Sequence, residues 1–105
     1  MLVVDAGEPR NATASGVHTL LTRDGMSPVA MLEVDRAEVR RYGAKVLDGR
    51  VASALPVDEG FAVGLEDGRR VGARRQLVAT GLVDELPEIP GGRERWERDV
   101  LHCPY

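Results

Sequence analysis

The stretch Leu2-Val3-Val4-Asp5-Ala6-Gly7-Glu8-Pro9-Arg10-Asn11 decides the fold that we predict for this chain. It begins with an apolar run that is too short for a helix, and the branched side chains of Val3 and Val4 favour a β-strand. Glycine, proline and asparagine follow closely, which is typical of a turn. We therefore predict a buried strand over residues 2–6 that runs directly into a turn.

The acidic residue of this stretch falls at the end of the predicted strand. Open α/β sheets bind ligands at the carboxyl ends of their strands, so Asp5 would lie at such an edge. In dinucleotide-binding folds an acid at the end of the second strand binds the adenosine ribose, about 20 residues after a glycine loop. No such loop precedes Asp5, because the sequence starts at Met1. On these residues alone two interpretations stay open: an internal piece of a nucleotide-binding flavoprotein, or an ordinary core strand followed by a polar turn.

The composition is that of a single globular domain. The chain has 105 residues, of which 43% are hydrophobic and 30% are charged, and these values differ from those of disordered proteins. A net charge of −3 and a 4% aromatic content disfavour nucleic-acid binding. No apolar run reaches the roughly 20 residues of a membrane span, and no secretory signal is visible. A single cysteine rules out an internal disulfide and disfavours a zinc site. We expect a cytoplasmic protein without a metal.

The next elements are a helix and a second strand. Ser27-Pro28 is typical of a helix start, because serine caps free amides and proline is tolerated at the first position. The helix should run to Tyr42, with Gly43 as its left-handed stop. Residues 44–48 then predict a strand, so that the two strands and the helix form a parallel, right-handed crossover unit.

The charged residues of this helix are interpreted as a solvated face. Val29, Leu32, Val39 and Tyr42 share one side, and Arg36 interrupts their apolar stripe. Glu33 and Arg36 are spaced to form a surface ion pair.

A small antiparallel meander is predicted over residues 51–73. Short extended runs at 51–57, 61–65 and 70–73 are separated by turns that contain Glu-Gly and Asp-Gly. Apolar residues alternate at period two in the second run, so that one face should be buried.

Three further features suggest chemistry, each with a structural alternative. Residues 76–81 predict a buried strand that ends at Thr80-Gly81, where glycine would let the backbone approach a ligand. The alternative is a strand followed by an ordinary turn. Cys103-Pro104-Tyr105 matches the first three positions of a Cys-x-x-Cys redox motif, and a cysteine without a redox role is the alternative. His18 is a functional candidate or a packing residue.

Together these pieces resemble the thioredoxin reductase-like family of FAD-dependent pyridine nucleotide-disulfide oxidoreductases. The match follows the family's order over nearly the whole chain. The matching residues are Val3-Val4-Asp5-Ala6-Gly7-Glu8-Pro9-Arg10-Asn11, His18 with Arg23-Asp24-Gly25, Ala37-Glu38-Val39-Arg40-Arg41-Tyr42-Gly43, Leu77-Val78-Ala79-Thr80-Gly81, Asp84-Glu85-Leu86-Pro87-Glu88-Ile89-Pro90-Gly91 and His102-Cys103-Pro104-Tyr105.

The resemblance implies an α/β fold, a partial Rossmann-like FAD-binding domain with parallel strands, one crossover helix and an inserted antiparallel meander. Residues 1–105 would be an incomplete FAD/NAD(P)-binding domain, with the meander at 51–73. The implied roles, in chain order, are Asp5 on the adenosine ribose, Arg10 and Asn11 along the FAD, His18 near the flavin, Val51 on adenine through its backbone, Ala79, Thr80 and Gly81 against the flavin or pyrophosphate, and Cys103 as the first redox cysteine.

The implied activity is electron transfer from NADPH through FAD to a protein or small-molecule disulfide, with a homodimer as one possible assembly. We expect the chain alone to be inactive and to bind FAD weakly or not at all, because the glycine loop and the NADPH-binding domain are missing. The alternatives are a truncated non-catalytic pseudoenzyme or interaction module, or a fragment of another FAD-dependent oxidoreductase. All of this depends on Asp5 and Thr80-Gly81 ending neighbouring parallel strands beside one cleft.

Overall fold

The computed structural model describes residues 1–100, and these residues form a mixed α/β structure with two separate sheets. The elements are β1 (Leu2–Asp5), α1 (Pro28–Arg41), β2 (Lys45–Asp48), β3 (Val51–Val57), β4 (Gly60–Leu65), β5 (Arg70–Ala73) and α2 (Gly92–Arg95). Strands β1 and β2 form one sheet, and β3, β4 and β5 form the other in that order. This arrangement confirms the predicted fold class. Neither helix in this part of the chain has the length and hydrophobicity needed to cross a bilayer.

The crossover unit forms as predicted, with β1 and β2 parallel. Leu2 lies opposite Lys45, and Asp5 lies opposite Asp48 at the other end of the ladder. The helix between the strands begins at its predicted cap, because the Ser27 hydroxyl accepts the Ala30 amide hydrogen at 3.2 Å. This side-chain bond satisfies one of the amides that a helix start leaves open.

The helix also ends at its predicted stop. Gly43 has a φ of +81°, a conformation that glycine adopts without strain. Its amide donates to the Arg40 carbonyl at 2.9 Å, and the next amide, that of Ala44, donates to the Val39 carbonyl at 3.2 Å. These two bonds form a Schellman cap, which turns the chain directly into β2.

The apolar stripe of α1 differs from the prediction at its two ends. Leu32 and Val39 are half-buried, but Val29 is 56% exposed and Tyr42 is 80% exposed. Arg36, expected on the solvated face, lies half-buried between the two inner residues of the stripe. The helix therefore turns a basic side chain towards the sheet.

The meander forms with the predicted strands and turns. β4 pairs antiparallel with both β3 and β5, so that Phe61 lies opposite Pro56 and Ala73. Leu65 is 4% exposed, whereas Ala62, on the other face of β4, is exposed. One face of this sheet is therefore the more buried one, as the period-two pattern predicted.

The strand predicted over residues 76–81 does not form, and this prediction was wrong. These residues belong to no ladder in the described part of the chain. Leu77 is 90% exposed and Val78 is 67% exposed. A strand exists only when its backbone groups pair with a neighbour, and no described segment pairs with this one. Thr80-Gly81 therefore follows an irregular segment, not a parallel strand.

The described residues bury little apolar surface. Among them, only Ala44 and Leu65 are hydrophobic residues counted as buried. The radius of gyration is 17.0 Å, compared with about 13 Å for a compact domain of 100 residues.

Candidate functional site

The carboxyl ends of β1 and β2 form the edge at which the sequence predicted a ligand. Beyond the last ladder pair, the Gly49 amide donates to the Asp5 carbonyl at 2.9 Å. This hydrogen bond joins the backbone that follows β2 to the end of β1. Val51 begins β3 two residues later. The structure thus brings the predicted ribose acid and the predicted adenine contact to the same edge of the parallel sheet.

The Asp5 carboxylate is held from two directions. Its Oδ2 accepts hydrogen bonds from Arg36 Nη2 at 2.6 Å and from Arg36 Nε at 3.1 Å, and its Oδ1 accepts the Gly7 amide hydrogen at 2.9 Å. The Arg36 side chain is 19% exposed and the Asp5 side chain 24% exposed. The Arg36 hydrogen bonds, and after them the Gly7 amide, lower the pKa of the Asp5 carboxyl below its ordinary value. Asp5 is therefore an ionised group, which accepts hydrogen bonds and donates none.

A second ion pair holds the loop after β1. Arg50 Nη2 lies 2.5 Å from Glu8 Oε2, and Arg50 Nε lies 3.9 Å from Glu66 Oε2. The hydrogen bond to Glu8 raises the pKa of Arg50, which stays protonated. Since Arg50 lies between β2 and β3, this contact joins the loop to the start of the meander.

A third ion pair joins the same loop to the C-terminal part of the described chain. Arg10 Nε donates to Asp84 Oδ2 at 2.8 Å, and Arg10 Nη2 donates to Asp84 Oδ1 at 2.6 Å. This fork-to-fork geometry is the strongest form of the arginine–carboxylate pair. The structure thus places Arg10, predicted along the cofactor, in contact with a residue four positions after Thr80.

An open cleft lies beside this ion pair. It has a volume of about 520 Å³, and we divide its lining residues by their place in the chain into two groups, which we call its walls. One wall comes from the loop after β1 (Gly7, Glu8, Pro9, Arg10, Ala12 and Thr13), and the other from the C-terminal part of the described chain (Leu82, Asp84, Trp96 and Glu97). The Ala79–Thr80–Gly81 segment leads into the second wall, and Gly81 has a φ of +69°. Asp5, Thr80 and Gly81 are not among the residues that line this cleft; the residues that follow them, Gly7 and Leu82, are. The prediction that Asp5 and Thr80-Gly81 end neighbouring parallel strands was wrong for Thr80-Gly81, and the role of both segments at one cleft stays a prediction.

The other predicted residues lie apart from these contacts. Asn11 is exposed, and its carbonyl accepts the Ala14 amide hydrogen at 3.1 Å in a turn. His18 is also exposed, with its Nδ1 atom 3.7 Å from Asp24 Oδ1, and it is not among the described residues that line the cleft. Cys103 lies outside the described residues. The roles of these three residues stay predictions.

Comparisons with known proteins agree with this architecture. No family model matches the chain. It is 34% identical over 107 aligned positions to the thioredoxin reductase sirT of Leptosphaeria maculans, across 98% of this chain and 33% of the relative. The solved oxidoreductase from Agrobacterium tumefaciens is 45% identical with a TM-score of 0.88, across 99% of this chain and 36% of that protein. The solved structure of HlmI is 50% identical with a TM-score of 0.85, across 99% of this chain and 34% of that protein.

Over nearly its whole length the chain is similar to a segment of thioredoxin reductase-like oxidoreductases. It spans about a third of the length of the relatives that it matches, with 33% coverage of the curated one. The parallel unit and the meander are thus elements of a thioredoxin reductase-like fold.

Two charged residues of this thioredoxin reductase-like segment were missed as site residues from the sequence. Arg36 fixes Asp5, and Asp84 fixes Arg10. A signal for Arg36 was present, because a basic residue inside an apolar helical stripe needs a buried acid as its partner. No local pattern identifies Asp84, whose partner lies 74 positions away along the chain.

Proposed function

We propose that this chain supplies the adenosine-binding edge of an FAD site in a thioredoxin reductase-like oxidoreductase. The observation that carries the proposal is the Asp5 carboxylate, which lies ionised and oriented at the carboxyl end of β1. This is the position at which α/β sheets bind nucleotides, and an acid there accepts hydrogen bonds from ribose hydroxyls.

The contacts of Asp5 leave it able to bind a hydroxyl. A carboxylate has about four lone-pair positions on its two oxygens. Arg36 donates twice to Oδ2, whereas Oδ1 accepts one bond, from Gly7. We assign Oδ1 to the ribose and the backbone of Val51, at the same edge, to the adenine.

The rest of the cofactor would lie towards the cleft between residues 7–13 and Trp96. We propose that Arg10, Asn11 and the Ala79–Gly81 segment lie along this part of the FAD. The positive φ of Gly81 and its missing side chain allow a close approach of the backbone. His18 is retained as a flavin-side candidate from the family resemblance alone.

The redox partners of the whole protein are also proposals. By family resemblance, bound FAD would take electrons from NADPH and pass them to the cysteine motif that begins at Cys103, which would exchange with a thiol or disulfide partner. A homodimer and a cytoplasmic location are proposed on the same grounds. We propose that residues 1–105 by themselves are not a competent oxidoreductase and that, of the two outcomes expected above for FAD, they bind it weakly rather than not at all.

The test is a nucleotide titration of the isotopically labelled chain, followed by NMR so that weak binding is visible. With ADP and with FAD, we expect saturable amide shifts near Asp5 and at residues 49–51. Asp5→Asn should remove these shifts, because an amide is a weaker acceptor that can also turn its donor towards the ribose. Asp35→Asn, on the exposed side of α1, is the matched control and should leave them unchanged.

Equal shifts in the parent chain and in Asp5→Asn would refute the proposed site, and so would the absence of shifts with both nucleotides. A second candidate function is a non-catalytic interaction module, which is favoured by the exposed apolar residues Leu77, Val78, Leu82 and Val83. Concentration-dependent line broadening over residues 77–83, without nucleotide shifts, would favour that function.

A further inference from the structure

We propose that Arg10 and Asp84 form a clasp, a positioning pair that holds residues 77–84 against the loop after β1 and so sets the shape of the cleft. The pair would act by holding this contact, and not by offering the positive charge of Arg10 to the cofactor. The nature of the ligand rests on the proposed function, but the clasp itself does not.

The first argument is the geometry of the contact. Two N–H groups of one guanidinium meet both oxygens of one carboxylate, at 2.8 Å and 2.6 Å. The Arg10 side chain is 34% exposed and the Asp84 side chain 23% exposed, so the pair is partly shielded from water. A bidentate pair fixes orientation as well as distance, which an exposed single contact does not.

The second argument is the irregular structure of residues 77–84. The segment contains no helix and no ladder. Leu77 is 90% exposed and Val83 is 93% exposed, so burial of these side chains does not fix the path of the backbone. The clasp is a direct bond from this segment to a loop that is itself anchored at Asp5 and Glu8.

The third argument is the position of the clasp in the cleft. Arg10 belongs to one of the two groups of lining residues and Asp84 to the other, and Trp96 also lines the cleft. Release of the clasp would separate the two walls and move the Ala79–Gly81 segment away from the loop. Arg10, which was predicted to lie along the FAD, would therefore also set the position of the opposite wall of the cleft.

The chain contains one tryptophan, and this residue reports on the clasp directly. Trp96 is half-buried and lines the cleft, so its emission and its quenching by acrylamide depend on whether the walls are together. We expect Arg10→Gln and Asp84→Asn each to shift the emission to longer wavelength and to increase quenching. Asp67→Asn is the matched control, because it breaks a similar ion pair, with Arg69 at 2.6 Å, in the meander.

The charge-swapped double variant, Arg10→Asp with Asp84→Arg, separates a clasp from a general structural role. We expect it to return the emission and the quenching towards the parent values, since the two charges can pair again. High salt should shift the parent emission in the same direction as Asp84→Asn and leave that variant unchanged. Parent-like emission in both single variants, or a double variant that is no closer to the parent, would overturn the proposal.

A nucleotide arm distinguishes failure of the clasp from failure of the proposed function. With FAD, the single clasp variants should lose NMR shifts at residues 79–81 and keep those near Asp5, and the charge swap should restore them. If Trp96 responds as expected but no variant or parent shows nucleotide shifts, the clasp stands and the proposed FAD site is wrong. If nucleotide shifts occur at Asp5 but the emission of Trp96 is the same in the parent and in the clasp variants, the proposed FAD site stands and the clasp is wrong.

Discussion

Two short apolar runs in this chain have similar sequences and different structures. Leu2-Val3-Val4-Asp5 forms β1, whose middle side chains are half-buried, whereas Leu77-Val78-Ala79-Thr80 lies in no ladder and exposes its side chains. Both runs have β-favouring valines and both lead into a glycine with a positive φ, at Gly7 and Gly81. Intrinsic propensity therefore does not explain the difference.

The difference is that one run has a partner and the other has none in the described residues. Helix α1 and its Gly43 cap return the chain so that β2 lies parallel to β1. No element within residues 1–100 does this for residues 77–80. The comparison teaches that a short apolar run becomes a strand only when a neighbour satisfies its backbone, and that the crossover helix is what supplies that neighbour.

The two runs are also held at their carboxyl ends by similar means. Asp5 is bound by Arg36, and Asp84, shortly after the second run, is bound by Arg10. A ladder and an ion pair thus hold the first run, whereas the second has the ion pair without the ladder. This contrast is the basis of the three predictions that follow.

The largest effect is expected from Ala37→Pro, which removes a hydrogen bond from the interior of α1 and destabilises the helix by about 3 kcal/mol. Ala37 is exposed, so the change acts on the backbone and not on packing. If the helix positions β2, amide hydrogen exchange over residues 2–5 and 45–48 should accelerate towards that of residues 77–80. The meander should keep its protection, because its strands pair locally.

Ala37→Ser is the matched control, since serine lowers helix stability by only about 0.5 kcal/mol. It should leave exchange in β1 and β2 close to that of the parent chain. Slow exchange of β1 in the proline variant would mean that the strand stands without its crossover helix, and the explanation of the comparison would then be wrong.

The sequence predicted the elements whose determinants are local. The Ser27 cap, the Gly43 stop and the Asp-Gly turn of the meander are short-range signals, and each is found in the structure. The predicted strand at 76–81 failed because its existence depends on a distant partner, which no local pattern encodes. The same reason explains why the candidate site was predicted only in part. Asp5 was predicted from the strand that it ends, but its partner Arg36, 31 positions away, was assigned to the solvated face of the helix.

The intermediate effect is expected from Arg36→Gln, which removes the main cause of the lowered pKa of Asp5. The pKa of this carboxyl should rise towards the ordinary aspartate value of about 3.9. Because the folded-state pKa is below the unfolded one, Asp5 stabilises the parent at neutral pH, and this contribution is lost as the pH falls below about 4. The variant should therefore show a flatter dependence of unfolding free energy on pH in that range.

Arg41→Gln is the matched control, because it removes the same charge from an exposed position of the same helix. A carboxyl NMR titration of Asp5 and urea unfolding at several pH values measure the two quantities separately. An unchanged Asp5 titration in Arg36→Gln would show that Gly7 alone sets the pKa. In that case the anchoring of β1 by Arg36, on which the comparison of the two carboxyl ends depends, would not hold.

The smallest effect is expected from one substitution made in each run, Val3→Thr and Val78→Thr. Val3 is half-buried and opposite Val46 in the ladder, so placing a hydroxyl there should destabilise the chain by about 1 kcal/mol. Val78 is 67% exposed, and its change should alter the free energy of unfolding by less than about 0.5 kcal/mol. Urea unfolding measures both under identical conditions. Equal losses would mean that residues 77–80 pack as a strand in solution, and the two runs would then differ less than their ladders indicate.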